Sequence, residues 1–125
     1  MRVGIDAQPV AEVHQALVDH GDRYRRRLFT EHEVDACGGW AADPTHAAEG
    51  LAARFAAKEA TLKALRVTDR IPGWTEIEVV RASGGWVTLT LTGVARALAD
   101  EAELTAFEIS LTHTAAIAIA IVVAS

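Results

Sequence analysis

The sequence predicts a mixed α+β fold in which an antiparallel sheet wraps a long central helix. Three observations carry this. Strong helix formers run without a break from about Thr45 to Arg66. The second half of the chain alternates apolar and polar residues in short segments, as half-buried strands do. The last of these segments sets Ile117, Ile119 and Ile121 against Ala116, Ala118 and Ala120, so its alanine face lets a helix approach closely. With 125 residues, half of them apolar, the chain is expected to make a single domain over residues 1–125, with enough core to fold alone or in a small oligomer.

Arg2 to Asp6 reads as a short strand. Pro9 sits where a helix can begin, and Val10, Val13 and Leu17 give that helix an apolar face. Thr30-Glu31-His32-Glu33 has the form of a capping box, with Thr30 as cap and Glu33 reaching back; Gly38-Gly39 ends this short helix. After the central helix, Ile71-Pro72-Gly73-Trp74 marks a turn. Ile77 and Val79 then alternate with Glu76 and Glu78, Ser83-Gly84-Gly85 turns the chain, and Val87, Leu89 and Leu91 alternate with Thr88, Thr90 and Thr92. A helix is expected from Gly93 to Ala102. Phe107, Ile109 and Leu111 alternate with Ala106, Glu108 and Ser110 before the final strand, whose isoleucine face needs a core.

The central helix is the most informative segment. At about 100° per residue, Leu51, Phe55, Leu62 and Leu65 share one apolar stripe, with Lys58 projecting into its middle and Glu59 at its edge. The opposite side is alanine: Ala52, Ala53, Ala56, Ala57, Ala60 and Ala64. A helix apolar or small nearly all round is expected to be buried, where an ammonium and a carboxylate are expensive unless paired, metal-bound or facing a ligand. Lys58 either snorkels out to a nearby acid or belongs to a site. Lys63, one turn beyond Glu59, either forms an i,i+4 pair with it or serves a ligand.

The net charge of −5 argues against a nucleic-acid partner. One basic run stands apart, Arg23-Tyr24-Arg25-Arg26-Arg27, read as a solvated helix end or loop, or as a patch that steers an acidic partner. The apolar tail from Ala115 to Ala124 is too short to span a bilayer, and the N-terminus lacks the pattern of a secretory signal. A single cysteine, Cys37, excludes an intrachain disulfide framework and fits a reducing cytoplasm. His14, His20, His32 and His46 show no metal-ligand spacing.

Three stretches, in order, carry a resemblance: Val3-Gly4-Ile5-Asp6, Arg54-Phe55-Ala56-Ala57-Lys58-Glu59-Ala60-Thr61-Leu62-Lys63, and Ile109-Ser110-Leu111-Thr112-His113-Thr114. Together they resemble the 4′-phosphopantetheinyl transferase superfamily, specifically its short holo-acyl-carrier-protein synthase type, over essentially the whole chain. The resemblance implies a cytoplasmic, trimeric, Mg²⁺-dependent enzyme of fatty-acid or polyketide biosynthesis. Such an enzyme moves the phosphopantetheine arm of CoA to a serine of an apo-acyl carrier protein and releases 3′,5′-ADP. By the same resemblance, Asp6 and Glu59 bind the metal, and Glu59, directly or through a metal-bound water, helps deprotonate the serine. Lys63, Lys58, Arg54, Thr112 and His113 hold or neutralise phosphates, and Arg23, Arg25, Arg26 and Arg27 dock the carrier.

The chemistry suits the composition. Transfer needs no enzyme nucleophile, and the chain has no convincing Ser-His-Asp or Cys-His set. Mg²⁺ takes one or two carboxylates plus substrate phosphate and water, which Asp6 and Glu59 would supply from two elements. Standing alone, Asp6 reads equally as a helix cap or turn residue. Two departures from the family pattern matter. Gln8 is an amide where larger relatives place a second acid, and it would touch the metal or hold a water. Gly84-Gly85-Trp86 replaces a Gly-x-Pro hairpin that lines the CoA pocket of trimeric relatives, and Trp86 either stacks on adenine or covers core. These departures leave one rival, a catalytically silent domain that binds CoA or a carrier protein. A metal-dependent phosphoesterase needs a site richer in His and Asp.

Overall fold

Strand β1 (Arg2–Pro9) opens the chain and passes directly into helix α1 (Val10–His20), with Pro9 in extended backbone just before the first turn. It is three residues longer than the strand ending at Asp6 that the sequence predicts. Gly21, at φ 53°, ends α1 and starts a separate helix, α2 (Asp22–Leu28), so the basic run is helical in its own right. Helix α3 (Glu31–Ala36) carries the expected capping box: Glu33 N–H donates to Thr30 Oγ1 at 3.2 Å and Thr30 N–H to Glu33 Oε1 at 3.0 Å. Helix α4 (Pro44–Leu65) starts with Pro44 inside its first turn and Asp43 Oδ1 accepting the His46 N–H at 2.9 Å.

A single 3₁₀ turn at Trp74–Glu76 leads into β2 (Ile77–Arg81), which pairs with β3 (Val87–Leu91). Helix α5 (Gly93–Glu101) follows, then β4 (Phe107–His113) and β5 (Ile117–Ala124). This computed structural model describes residues 1–125. No helix is long and apolar enough to cross a membrane.

The single wrapped sheet expected from the sequence divides in two. One sheet has three antiparallel strands in the order β1-β5-β4, and the other is the β2-β3 hairpin. Helix α4 packs on the inner face of the larger sheet. There Ala118, Ala120, Val122 and Ala124 are fully buried, and Ala56, Ala57, Ala60 and Ala64 of the helix pack with Ala120 and Val122. Small residues on both partners permit the close approach. At Gly4 a methyl group would collide with the Ala60 carbonyl, so that position must stay bare.

The isoleucine face of β5 finds no cover within the chain. The register sets Ile5 opposite Ile121 and Val3 opposite Val123, which places these side chains together on the outer face. Val3 is 62% exposed, Ile5 58%, Ile117 37% and Ile121 39%, so a contiguous apolar strip faces outward.

Candidate active site

Asp6 lies on the inward face of β1, opposite Ala120, where the strand crosses α4. Lys63 reaches it from the helix: its ammonium is 3.1 Å from Asp6 Oδ1 and donates to the Ile5 carbonyl at 2.8 Å. The i,i+4 pair with Glu59 that the sequence offered is therefore replaced by a pair across elements. Glu59 sits one turn earlier on the same flank. Burial pushes its carboxyl above the ordinary carboxylate range, the nearby Asp6 charge raises it further, and Lys63 opposes both. Glu59 and Lys63 line a cleft of about 330 Å³ with Leu62, Arg66, Val67 and Ile71.

Two carboxylates whose charges repel form a donor set that a divalent cation would relieve. No group of three His, Cys, Asp or Glu residues clusters anywhere in the chain. Mg²⁺ does not require one, since substrate phosphate and water complete its shell. The Gln8 amide donates to Glu12 Oε2 at 3.1 Å and so is turned toward α1.

A second cleft, of about 340 Å³, opens beside the other flank of α4, lined by Arg54, Arg81, Trp86, Ser110, Leu111 and His113 among others. Arg54 is 3% exposed and donates through Nη1 to the Gly50 carbonyl at 3.2 Å, but its Nε and Nη2 are buried with no partner. A buried guanidinium with free donors at a cleft has the chemistry to pair with an anion. His113 ends β4 rather than lying in the following turn, and its Nδ1 is 3.3 Å from Glu49 Oε2. Arg81 Nη1 donates to the Gly85 carbonyl at 3.0 Å and holds the hairpin that carries Trp86, which is 64% exposed. Thr112 pairs with Ile119 on the outer face, so it does not share this cleft with His113.

The two clusters do not meet. Positions 54 and 63 lie about 180° apart around a helix that turns roughly 100° per residue. Asp6 is on β1 and His113 on β4, the two edges of the three-stranded sheet.

The sequence profile described as "4'-phosphopantetheinyl transferase superfamily" matches residues 2–122. The chain belongs to the 4′-phosphopantetheinyl transferase superfamily. It is 44% identical to the holo-acyl-carrier-protein synthase of Beutenbergia cavernae over 125 residues, 98% of this chain and 95% of that protein. Among solved structures, the holo-acyl-carrier-protein synthase of Helicobacter pylori in complex with coenzyme A superposes with a TM-score of 0.83. That match has 24% identity and covers 98% of this chain and 99% of that one. The Bacillus anthracis holo-acyl-carrier-protein synthase in complex with CoA (3′,5′-ADP) gives a TM-score of 0.76 at 26% identity, covering 98% and 94%.

In this transferase Lys58 is not available to phosphate, which corrects the role expected from the resemblance. Its side chain is fully buried and does not snorkel. The ammonium donates to Glu33 Oε1 at 2.7 Å, to the Trp74 carbonyl at 3.0 Å and to the Ile77 carbonyl, which uses all three protons. Glu33 in turn accepts the Val79 N–H on Oε2 at 2.9 Å. Burial lowers the Lys58 pKa and Glu33 pulls it back up. The pair ties α3, α4, the 3₁₀ turn and β2 together. The capping-box pattern shows only Glu33's local bond; its second role depends on a lysine 25 residues away.

The basic run of the transferase also divides. Arg23, Arg26 and Arg27 are exposed, but Arg25 is 4% exposed, donates to the Ala42 carbonyl at 2.7 Å and is no docking residue. Arg26 lies over the Trp40 ring, 5.5 Å from its centroid. Arg23 and Arg27 border a cleft of about 440 Å³ lined also by Tyr24, Phe55 and Trp74. Phe55 packs on Trp74 with centroids 5.1 Å apart. The sequence pattern assigned Phe55 to the core stripe and gave Trp74 and Arg81 no role; only the surroundings reveal their place at clefts.

Proposed function

We propose that this chain is a single holo-acyl-carrier-protein synthase domain. It transfers the 4′-phosphopantetheine arm of CoA to a serine of an apo-acyl carrier protein and releases 3′,5′-ADP. The observation that carries this reading is the Asp6–Lys63 contact with Glu59 beside it. This is a mixed-charge half-site built from two elements, at the motif positions that the family resemblance assigns to metal and phosphate.

Asp6 and Glu59 would hold Mg²⁺, which supplies neutralising charge to the CoA pyrophosphate when bound. The carrier serine Oγ attacks the pantetheine-bearing phosphorus, and the bond from that phosphorus to the bridging oxygen breaks. Glu59, beside the entry point of the serine, helps take its proton. Lys63 stabilises the charge that develops on the bridging oxygen and supplies the proton that 3′,5′-ADP carries away. Arg54, with two free buried donors, binds a further CoA phosphate, and Arg81, Trp86 and His113 complete that cleft.

Because the two clusters lie on opposite flanks of α4, one CoA bridges two copies of the chain. The exposed strip of Val3, Ile5, Ile117 and Ile121 gives those copies an apolar surface to share. The family resemblance makes the assembly a homotrimer, and the lone buried thiol of Cys37 fits a cytoplasmic setting.

The test is mass spectrometry of apo-carrier proteins of fatty-acid and polyketide synthesis after incubation with CoA and Mg²⁺. A phosphopantetheine mass increment is expected on at least one. CoA binding without any increment would make the chain a silent binding domain.

A further inference from the structure

Helix α4 ends on an unusual residue. Its last turn closes with Arg66 N–H donating to the Lys63 carbonyl at 3.1 Å and Val67 N–H to the Leu62 carbonyl at 3.2 Å. That pattern needs a left-handed residue, for which glycine is customary. Here the position is Arg66, at φ 54° and ψ 49°. An arginine held where glycine fits best is strain kept at a site, and strain of this kind collects where a side chain has work to do.

The Arg66 side chain makes no hydrogen bond or ion pair within the chain, whereas neighbouring Arg70 is bound to Glu101 at 2.5 Å. Arg66 instead lines the cleft that holds Glu59 and Lys63, and beside it Ile71 is 71% exposed. Phe55, Glu59 and Leu62 recur at i, i+4 and i+7, so they share one face of α4, and Arg66 follows just past its end in the cleft of Glu59 and Leu62. The span from Phe55 to Arg66 is about 16 Å at 1.5 Å per residue. One end carries the free cations Arg23 and Arg27 with apolar Phe55 and Trp74; the other carries the free cation Arg66 with apolar Leu62, Val67 and Ile71. Glu59 lies between them.

We propose that Arg66 and Ile71 form a second docking contact for the carrier protein, on the far side of Glu59 from Arg23 and Arg27; this rests on the transfer reading above. An acceptor serine delivered to Glu59 brings its flanking chain over both ends of the face. Unpaired cations at each end of a track, on a chain of net charge −5, select a segment bearing carboxylates and apolar side chains. No aromatic ring lines the Arg66 cleft, so nothing there stacks on a nucleobase, and the protein substrate is the better occupant than CoA.

Arg66→Gly tests this, because glycine keeps the left-handed backbone and removes only the cation; Arg66→Asn is a second variant that tolerates the same conformation. Transfer is followed by the mass increment while carrier and CoA are varied separately. The expected result is a KM for the carrier raised about three- to tenfold, with kcat and KM for CoA unchanged and the thermal midpoint equal or higher. An unchanged KM for the carrier, or a rise in KM for CoA instead, overturns the contact. If the wild type modifies no carrier, the transfer reading itself falls and this contact with it.

Discussion

Lys63 pairs with Asp6 across two elements, at 3.1 Å, although Glu59 stands one turn away on its own helix. The pair joins β1 to α4 at the point where a metal and a phosphate would enter. Under the proposed function, Lys63 would turn to substrate phosphate and Asp6 to the cation, so the two groups would be freed together. Lys63→Met should lower kcat by about 10²–10³, the usual loss for one group that stabilises developing charge. The side chain is 55% exposed, so the thermal midpoint should hardly move. A variant that melts early yet turns over normally returns Lys63 to a structural role.

Removing either carboxylate should abolish transfer without unfolding the chain. Asp6→Ala and Glu59→Ala each delete a ligand at a cleft rather than core volume. Circular dichroism should stay native while no mass increment appears on the carrier. Normal turnover in either variant would end the metal assignment.

Glu59 also predicts a pH dependence. Its folded-state pKa lies above the unfolded value, so the folded state binds the proton more tightly. Stability from this group is therefore present at low pH and falls as pH rises from the ordinary carboxylate value through the raised one. In metal-free protein, the melting difference between wild type and Glu59→Gln should shift against the wild type as pH rises above the ordinary carboxylate value of about 4.3. Melting curves that stay parallel as pH rises would contradict the burial of Glu59 and the Asp6 charge beside it.

Lys58→Met separates the buried pair from the chemistry. It leaves the Glu33 carboxylate buried beside two carbonyls, and breaking such a pair costs about 3–5 kcal/mol. Glu33→Leu with Lys58→Met should recover much of that, and the double variant should transfer at a rate within about tenfold of wild type per folded molecule. A double variant that is stable and inert would place Lys58 back among the groups serving phosphate.

A composite site predicts complementation. Asp6→Ala and Arg54→Ala should each be inactive, and co-expressed they should form mixed assemblies in which some sites combine intact halves. Random mixing in a cyclic trimer gives about a quarter of wild-type activity. No recovery, with mixed assemblies verified by native mass spectrometry, would mean that each chain binds CoA alone.

Local chemistry was legible in the chain itself. The capping box at Thr30 and Glu33, the Gly38-Gly39 stop and the period-two strands all depend on neighbours a few residues apart. So did the alanine face of β5 against α4, because small residues announce a close approach. The ordered motifs singled out Asp6, Glu59 and Lys63, and the fold sets Lys63 against Asp6 with Glu59 one turn earlier on the same helix. What tertiary structure alone decided was who meets whom. Lys58 found Glu33, Arg25 found the Ala42 carbonyl, and Lys63 found Asp6 rather than Glu59. A lysine in an apolar stripe and an arginine in a basic run have the same local signature whether they face water, core or ligand. Only burial and the partners brought by distant segments set the desolvation cost that decides between them.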